Sequence, residues 1–158
     1  MTTPFGVQSL VFDREKGWAT SPQGTQDLPE SQLKEIKTDR FRSFFSLFQA
    51  TDLKIQYLGE EEFQGKNLNI LLISDSSGNE LKMYVNQTTY LPVKESYRGS
   101  GMTGPTDMEE FFSDYRDVSG VKLPFQQLTN AEGKKFAETK ILEMNLNVQV
   151  DPNLFIRK

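Results

Sequence analysis

From residue 54 onward, apolar and polar side chains alternate along much of the chain. Leu81, Met83 and Val85 fall on one side of one such run, with Lys82 and Tyr84 on the other. Leu142, Met144, Leu146, Val148 and Val150 alternate in the same way with Glu143, Asn145, Asn147 and Gln149. Period two belongs to a strand, whose successive side chains leave on opposite faces. The runs predict strands over 54–62, 67–74, 80–86 and 91–98, a hairpin over 111–129, and a last strand over 134–150. Turn residues separate them: Gln64-Gly65, Ser76-Ser77-Gly78, Gln87-Thr88-Thr89, Asp117-Val118-Ser119-Gly120 and Asn130-Ala131-Glu132-Gly133. The stretch 99–105, GSGMTGP, reads as a flexible patch. One apolar face, one wet face and short turns mean an antiparallel meander.

The first third of the chain reads differently. Strands are predicted over 5–12 and 17–20, turned by Asp13-Arg14-Glu15-Lys16. Then Leu33, Ile36, Phe41, Phe44, Phe45 and Phe48 recur at helical spacing, with Lys34, Glu35, Lys37, Asp39 and Arg42 mostly on the other side. Asp27 can cap this helix, Glu30 sits three residues later as in a capping box, and Pro29 is tolerated in the first turn. The expectation is one helix over 28–49. A meander must bury its apolar face, and this helix is the available cover. The fold class is therefore mainly β with one long helix (α+β), an antiparallel curled sheet or half-barrel packed on the helix.

Composition narrows the function more than the fold. At 158 residues the chain reads as a single domain. It has no Cys and no His, which removes disulfides, thiolate nucleophiles, imidazole acid–base chemistry and the usual zinc ligands together. Eighteen basic against 22 acidic residues give a net charge of −4, with no basic block of the kind nucleic acid attracts. No apolar run is long enough to span a bilayer, and MTTPFGVQ has none of the regions of a signal peptide. No catalytic residue, metal ligand or cofactor is expected.

Several groups have both a chemical and a plain structural reading. Phe41, Phe44, Phe45 and Phe48 can line an apolar cavity or fill a core. Trp18 can stand at a cavity mouth or pack on its neighbouring strand. Asp114, Arg116, Asp117 and Lys122 can form a partner patch or a solvated face of cross-strand pairs. On the return strand, Val121, Leu123 and Phe125 face inward, and Pro124 is expected to point outward by alternation. Glu60-Glu61-Glu62 cannot chelate a cation together without a bend, because neighbours in a strand diverge. No two carboxylates are placed for glycoside hydrolysis, and Ser100 lacks both an elbow motif and a histidine.

The stretches GWATSPQGTQDLP (17–29), KMYVNQTTYLPVKESY (82–97), SDYRDVSGVKLPF (113–125) and DPNLF (151–155), in this order and spacing, resemble the LolA/LolB-like family of cell-envelope lipoprotein carriers. The resemblance covers residues 5–155 and is nearest to a subgroup fused to the C-terminal end of insulinase-type zinc peptidase chains in bacteria. It implies a LolA-like curled sheet, a periplasmic or envelope location, and a non-catalytic role with a lipid or acyl ligand. Trp18, Phe41, Phe44, Phe45, Phe48, Met83 and Met144 are the cavity-lining candidates that follow. The alternative it implies is an accessory interaction domain beside a peptidase neighbour, with no small ligand. Domains of the family start with additional strands before the equivalent of Phe5, so a partial domain is expected here. Its first strand, apolar over 5–12, would then be an open edge suited to homodimer pairing.

Overall fold

In a computed structural model of the chain, residues 2–3, 6–7, 9–13, 15–101 and 104–157 are described, those at 2, 3, 6, 7, 48 and 101 by backbone only. The architecture is mainly β, with antiparallel, curled, unclosed sheets and a helical segment, as the sequence pattern implied. The chain divides into two compact units, Met1–Phe48 with Val148–Lys158, and Gln49–Asn147.

In the first unit, β1 (Thr2–Thr3) pairs with β2 (Gly6–Val7), and β3 (Ser9–Asp13), β4 (Lys16–Ser21) and β5 (Gly24–Asp27) form a three-stranded antiparallel sheet. Within the strand expected over 5–12, Gly6–Val7 and Ser9–Asp13 join different sheets; Phe5, Gln8 and the side chain of Val7 lie outside the described residues. Helix α1 spans Glu30–Arg42 and α2 spans Phe44–Gln49. Gly17 shows how the helix meets this sheet. A Cβ there would come within 2.7 Å of Leu28 Cδ1 and 3.2 Å of Leu33 Cδ2, and the Leu28 N–H donates to the Gly17 carbonyl. Only a residue without a side chain lets both leucines close on the strand.

Two expectations about the helix are corrected. Asp27 does not cap it: Asp27 is the end of β5 and pairs with Arg157 at 3.2 Å, while Pro29 holds the N-cap position in extended conformation. The single helix is broken at Ser43, whose ψ of 129° is extended. The Ser43 N–H closes α1 on the Arg40 carbonyl, and the Ser43 carbonyl opens α2 by accepting from Ser46 and Leu47. The apolar spacing runs through this break undisturbed, so periodicity alone does not reveal it.

The second unit is a seven-stranded antiparallel meander in chain order: β6 (Lys54–Phe63), β7 (Lys66–Ser74), β8 (Glu80–Asn86), β9 (Pro92–Gly101), β10 (Gly104–Val118), β11 (Val121–Ala131) and β12 (Lys134–Lys140). Three of its hairpins close on two residues with positive φ, Gln64-Gly65, Ser119-Gly120 and Glu132-Gly133. Such turns match the twist of the strands they join. The β8–β9 turn is held by Asn86, whose buried Oδ1 accepts from the N–H groups of Thr88 and Thr89. A bulge between Tyr57 and Gly59 bends β6.

Three further expectations fail here. The patch over 99–105 is largely ladder, with Ser100 opposite Pro105 and Gly101 opposite Gly104; Met102 and Thr103 lie outside the described residues. Pro124 is buried between Leu123 and Phe125 rather than turned outward. Opposite it, β10 departs from regular geometry, with Asp114 at φ 52°. The last strand ends at Lys140 and not at residue 150, with a final bond from the Ile141 N–H to the Phe125 carbonyl. From Val148 the chain belongs to the first unit, so its alternating pattern continues with no ladder to join.

Candidate functional site

The helical aromatic stripe is graded from core to solvent. Phe41 on α1 is buried, Phe44 on α2 is half-buried, and Phe45 is 44% exposed. Phe44 and Phe45 follow the Ser43 break, and of the two Phe45 comes further out into water. The side chain of Phe48 lies outside the described residues. Trp18 is half-buried on β4, cross-strand from Val11 and Asp27. These positions belong to the first unit. Met83 and Met144 belong to the second: Met83 is buried on β8, and Met144 is half-buried in the irregular segment after β12.

The register of the second unit sorts its side chains into two faces. Ile73, Leu81, Met83, Glu95, Met108 and Phe112 share one; Leu68, Tyr84, Lys94, Glu109 and Phe111 share the other. Adjacent residues Lys94 and Glu95, 7% and 1% exposed, therefore go into opposite faces of the same strand, and both are buried. Sequence reasoning did not single them out. The available signal was a Lys-Glu step in mid-strand with neighbours on both sides, where neither face is free of packing.

Lys94 gathers the richest set of polar and aromatic partners among the described residues. Its Nζ lies 3.0 Å from Glu61 and 3.7 Å from Glu109. It stands over the Tyr84 ring at 4.2 Å and the Phe63 ring at 5.1 Å, and Phe63 stacks on Phe111. Two carboxylates and two π faces around one ammonium compensate much of what burial takes from it. The geometry also reports on the sheet. Glu61 is on β6 and Lys94 on β9, with β7 and β8 between them. Flat strands would hold the two backbones about 14 Å apart. The β6–β7 hairpin must therefore curl over this face to deliver Glu61, as the bulge in β6 favours.

The expected hairpin charges are used locally. Arg116 pairs with Asp114 at 2.6 Å and lies over the Phe125 ring at 4.4 Å, and Asp117 accepts from the Gly120 N–H inside the turn. Tyr115 donates to the Pro92 carbonyl at 2.7 Å, and burial, then the nearby Glu95 carboxylate, raises its phenol well above the usual value. Glu60, Glu61 and Glu62 diverge as expected: Glu61 takes Lys94, while Glu60 accepts from the Tyr57 hydroxyl at 3.3 Å. Among the described residues no group of three or more acidic side chains is placed to hold a metal ion, and no helix is long and apolar enough to cross a membrane.

Solved structures share this fold. A domain assigned as an outer membrane lipoprotein-sorting protein, from Vibrio parahaemolyticus, matches with a TM-score of 0.58 at 12% identity, covering 91% of this chain and 65% of that one. A DUF1329 family protein from Desulfovibrio piger matches with a TM-score of 0.60 at 16% identity, covering 89% of this chain and 62% of its own. A LolA superfamily protein from Nitrosomonas europaea matches with a TM-score of 0.57 at 12% identity, covering 95% and 70%. The chain thus spans a little under two thirds of the first two structures. At such identities the likeness is one of fold. No family model and no curated protein matches the sequence.

Proposed function

We propose that this chain is a non-catalytic, carrier-like module of the bacterial cell envelope that holds an apolar ligand such as a lipid or acyl chain. The observation that carries the reading is the fold, shared with a lipoprotein-sorting domain and a LolA superfamily protein. The aromatic stripe supports it. Phe45 is exposed to water while its neighbours Phe41 and Phe44 are buried or half-buried, an arrangement that gives a ligand chain an apolar place to start. On this reading Trp18, Phe41, Phe44, Phe45, Phe48, Met83 and Met144 serve the ligand. On the same reading residues 1–158 form one LolA-like domain. The absence of His and Cys fits a protein that moves a ligand without changing it.

Native mass spectrometry of gently purified protein tests the proposal. A copurified lipid mass that organic extraction removes is the expected result. A ligand-free spectrum at every preparation would point instead to an accessory domain of a zinc peptidase chain. Self-association through the N-terminal strands is the associated expectation on oligomeric state. Light scattering over a concentration series tests it, with Val7→Lys as the variant that should return the chain to a monomer.

A further inference from the structure

Lys94 offers a cation against aromatic surface, and its nearest counter-ion comes from a hairpin tip. Glu61 and Glu109 are 36% and 37% exposed while Lys94 is buried, so the ion pair lies where protein meets water. Glu61 and Phe63 both belong to the end of β6, an edge strand bonded to β7 alone. The β7–β8 ladder begins at Leu68, which faces Asn86 on one side and Glu61 on the other, and the Gln87 N–H adds one bond to the Asn67 carbonyl; the turn at Phe63–Lys66 runs past it. Beyond that last backbone bond the tip is held by side chains: Phe63 lies beneath the Lys94 ammonium and stacks on Phe111, and Glu61, just inside the ladder, reaches the same ammonium.

We propose that Lys94 is an anion anchor for a long-chain amphiphile. The carboxylate or phosphate head takes the place of Glu61 at Nζ, and the chain lies along the rings of Phe63, Tyr84 and Phe111. A buried ammonium cannot be left alone without a large penalty, but exchanging one carboxylate for another keeps it paired. Glu61 is then the resident counter-ion of the empty state, and its side chain, 36% exposed, turns toward water to admit the ligand. Glu109, at 3.7 Å, stays as the second partner throughout. The inference rests on the carrier reading for the class of ligand. It differs in assigning the head group to a surface of the sheet, apart from the helical stripe.

The test is titration of the purified chain with oleate, dodecyl phosphate and oleyl alcohol. The anionic ligands should bind at least about tenfold tighter than the alcohol, the scale of one charge-assisted hydrogen bond. Lys94→Met keeps the aliphatic stem and should erase that preference. Glu61→Gln removes the resident competitor and should tighten oleate. A stronger response to oleate identifies a free fatty acid as the source of the head group, and a stronger response to dodecyl phosphate a phospholipid. Equal binding of oleate and oleyl alcohol, or weaker oleate binding in Glu61→Gln, overturns the anchor and leaves the carrier reading standing. Binding of none of the three overturns both. If Lys94→Met does not fold, the wild-type comparison and Glu61→Gln decide alone.

Discussion

Phe63 and Phe111 stack with ring centroids 5.7 Å apart, although β7, β8 and β9 lie between their strands. In a flat sheet those two strands would be about 19 Å apart. The stack is thus a direct sign that the sheet rolls, and it pins the β6 end of the roll. Single Phe63→Ala and Phe111→Ala variants and their double should reveal a coupling of about 0.5–1.5 kcal/mol in chemical denaturation. Strictly additive losses would mean that the roll is held by something else.

The acid limb of stability has identifiable sources. Hydrogen bonds from the Ser76 hydroxyl and N–H hold the Asp52 carboxyl below its usual 3.8. Lys135 and Gln126 do the same for Glu138 against its usual 4.5. Both groups are depressed by folding, so their stabilisation is complete above those usual values and is lost as pH falls through and below them. Asp39 is raised by burial and runs the other way, contributing at low pH and losing that as pH rises. The two depressed carboxylates are exposed, so each effect is small. Urea midpoints should be level above the carboxylate range and decline beneath it, with a shallower decline in Ser76→Ala. An unchanged slope in that variant would remove Asp52 from the account.

Tyr115 governs the alkaline side. Its folded phenol is raised by burial and by Glu95, so its contribution is whole below the usual 10.0 and lost as pH climbs beyond it. Tyr115→Phe gives up the bond to the Pro92 carbonyl and should cost about 1 kcal/mol at neutral pH. It should also flatten the loss of stability above pH 10.0. A phenolate absorbance titration checks the cause: one tyrosine should resist ionisation until the chain unfolds, and should be missing from the titration of the variant.

The meander was legible because β8 alternates cleanly and Gly-bearing turns such as Gln64-Gly65, Ser119-Gly120 and Glu132-Gly133 punctuate the strands. Leu81 and Met83 went to one face and Tyr84 to the other, as period two requires. What failed did so where a local pattern met a non-local demand. Residues 142–150 alternate as well as any strand, yet the last strand ends at Lys140 and Leu142 is 87% exposed. Ser43 interrupts a helix whose apolar spacing gives no warning. Pro124 is buried opposite Tyr115 on a strand whose two faces are both covered at this point, which alternation alone does not reveal. At the candidate site, the Phe stripe was visible in the sequence, but its grading from buried Phe41 to exposed Phe45 was not. Lys94 was invisible because its partners come from three other strands: Glu61 and Phe63 on β6, Tyr84 on β8 and Glu109 on β10.

The claim that the aromatic stripe serves an apolar ligand is tested most directly at Phe45. An environment-sensitive apolar dye should bind the folded wild type and be displaced by a fatty acid. Because Phe45 is 44% exposed, Phe45→Asp places its carboxylate within reach of water, so the variant should fold with little loss of stability. The account predicts a folded Phe45→Asp protein, by circular dichroism and urea midpoint, that no longer binds the dye. A folded variant that binds it as tightly as the wild type would contradict the claim.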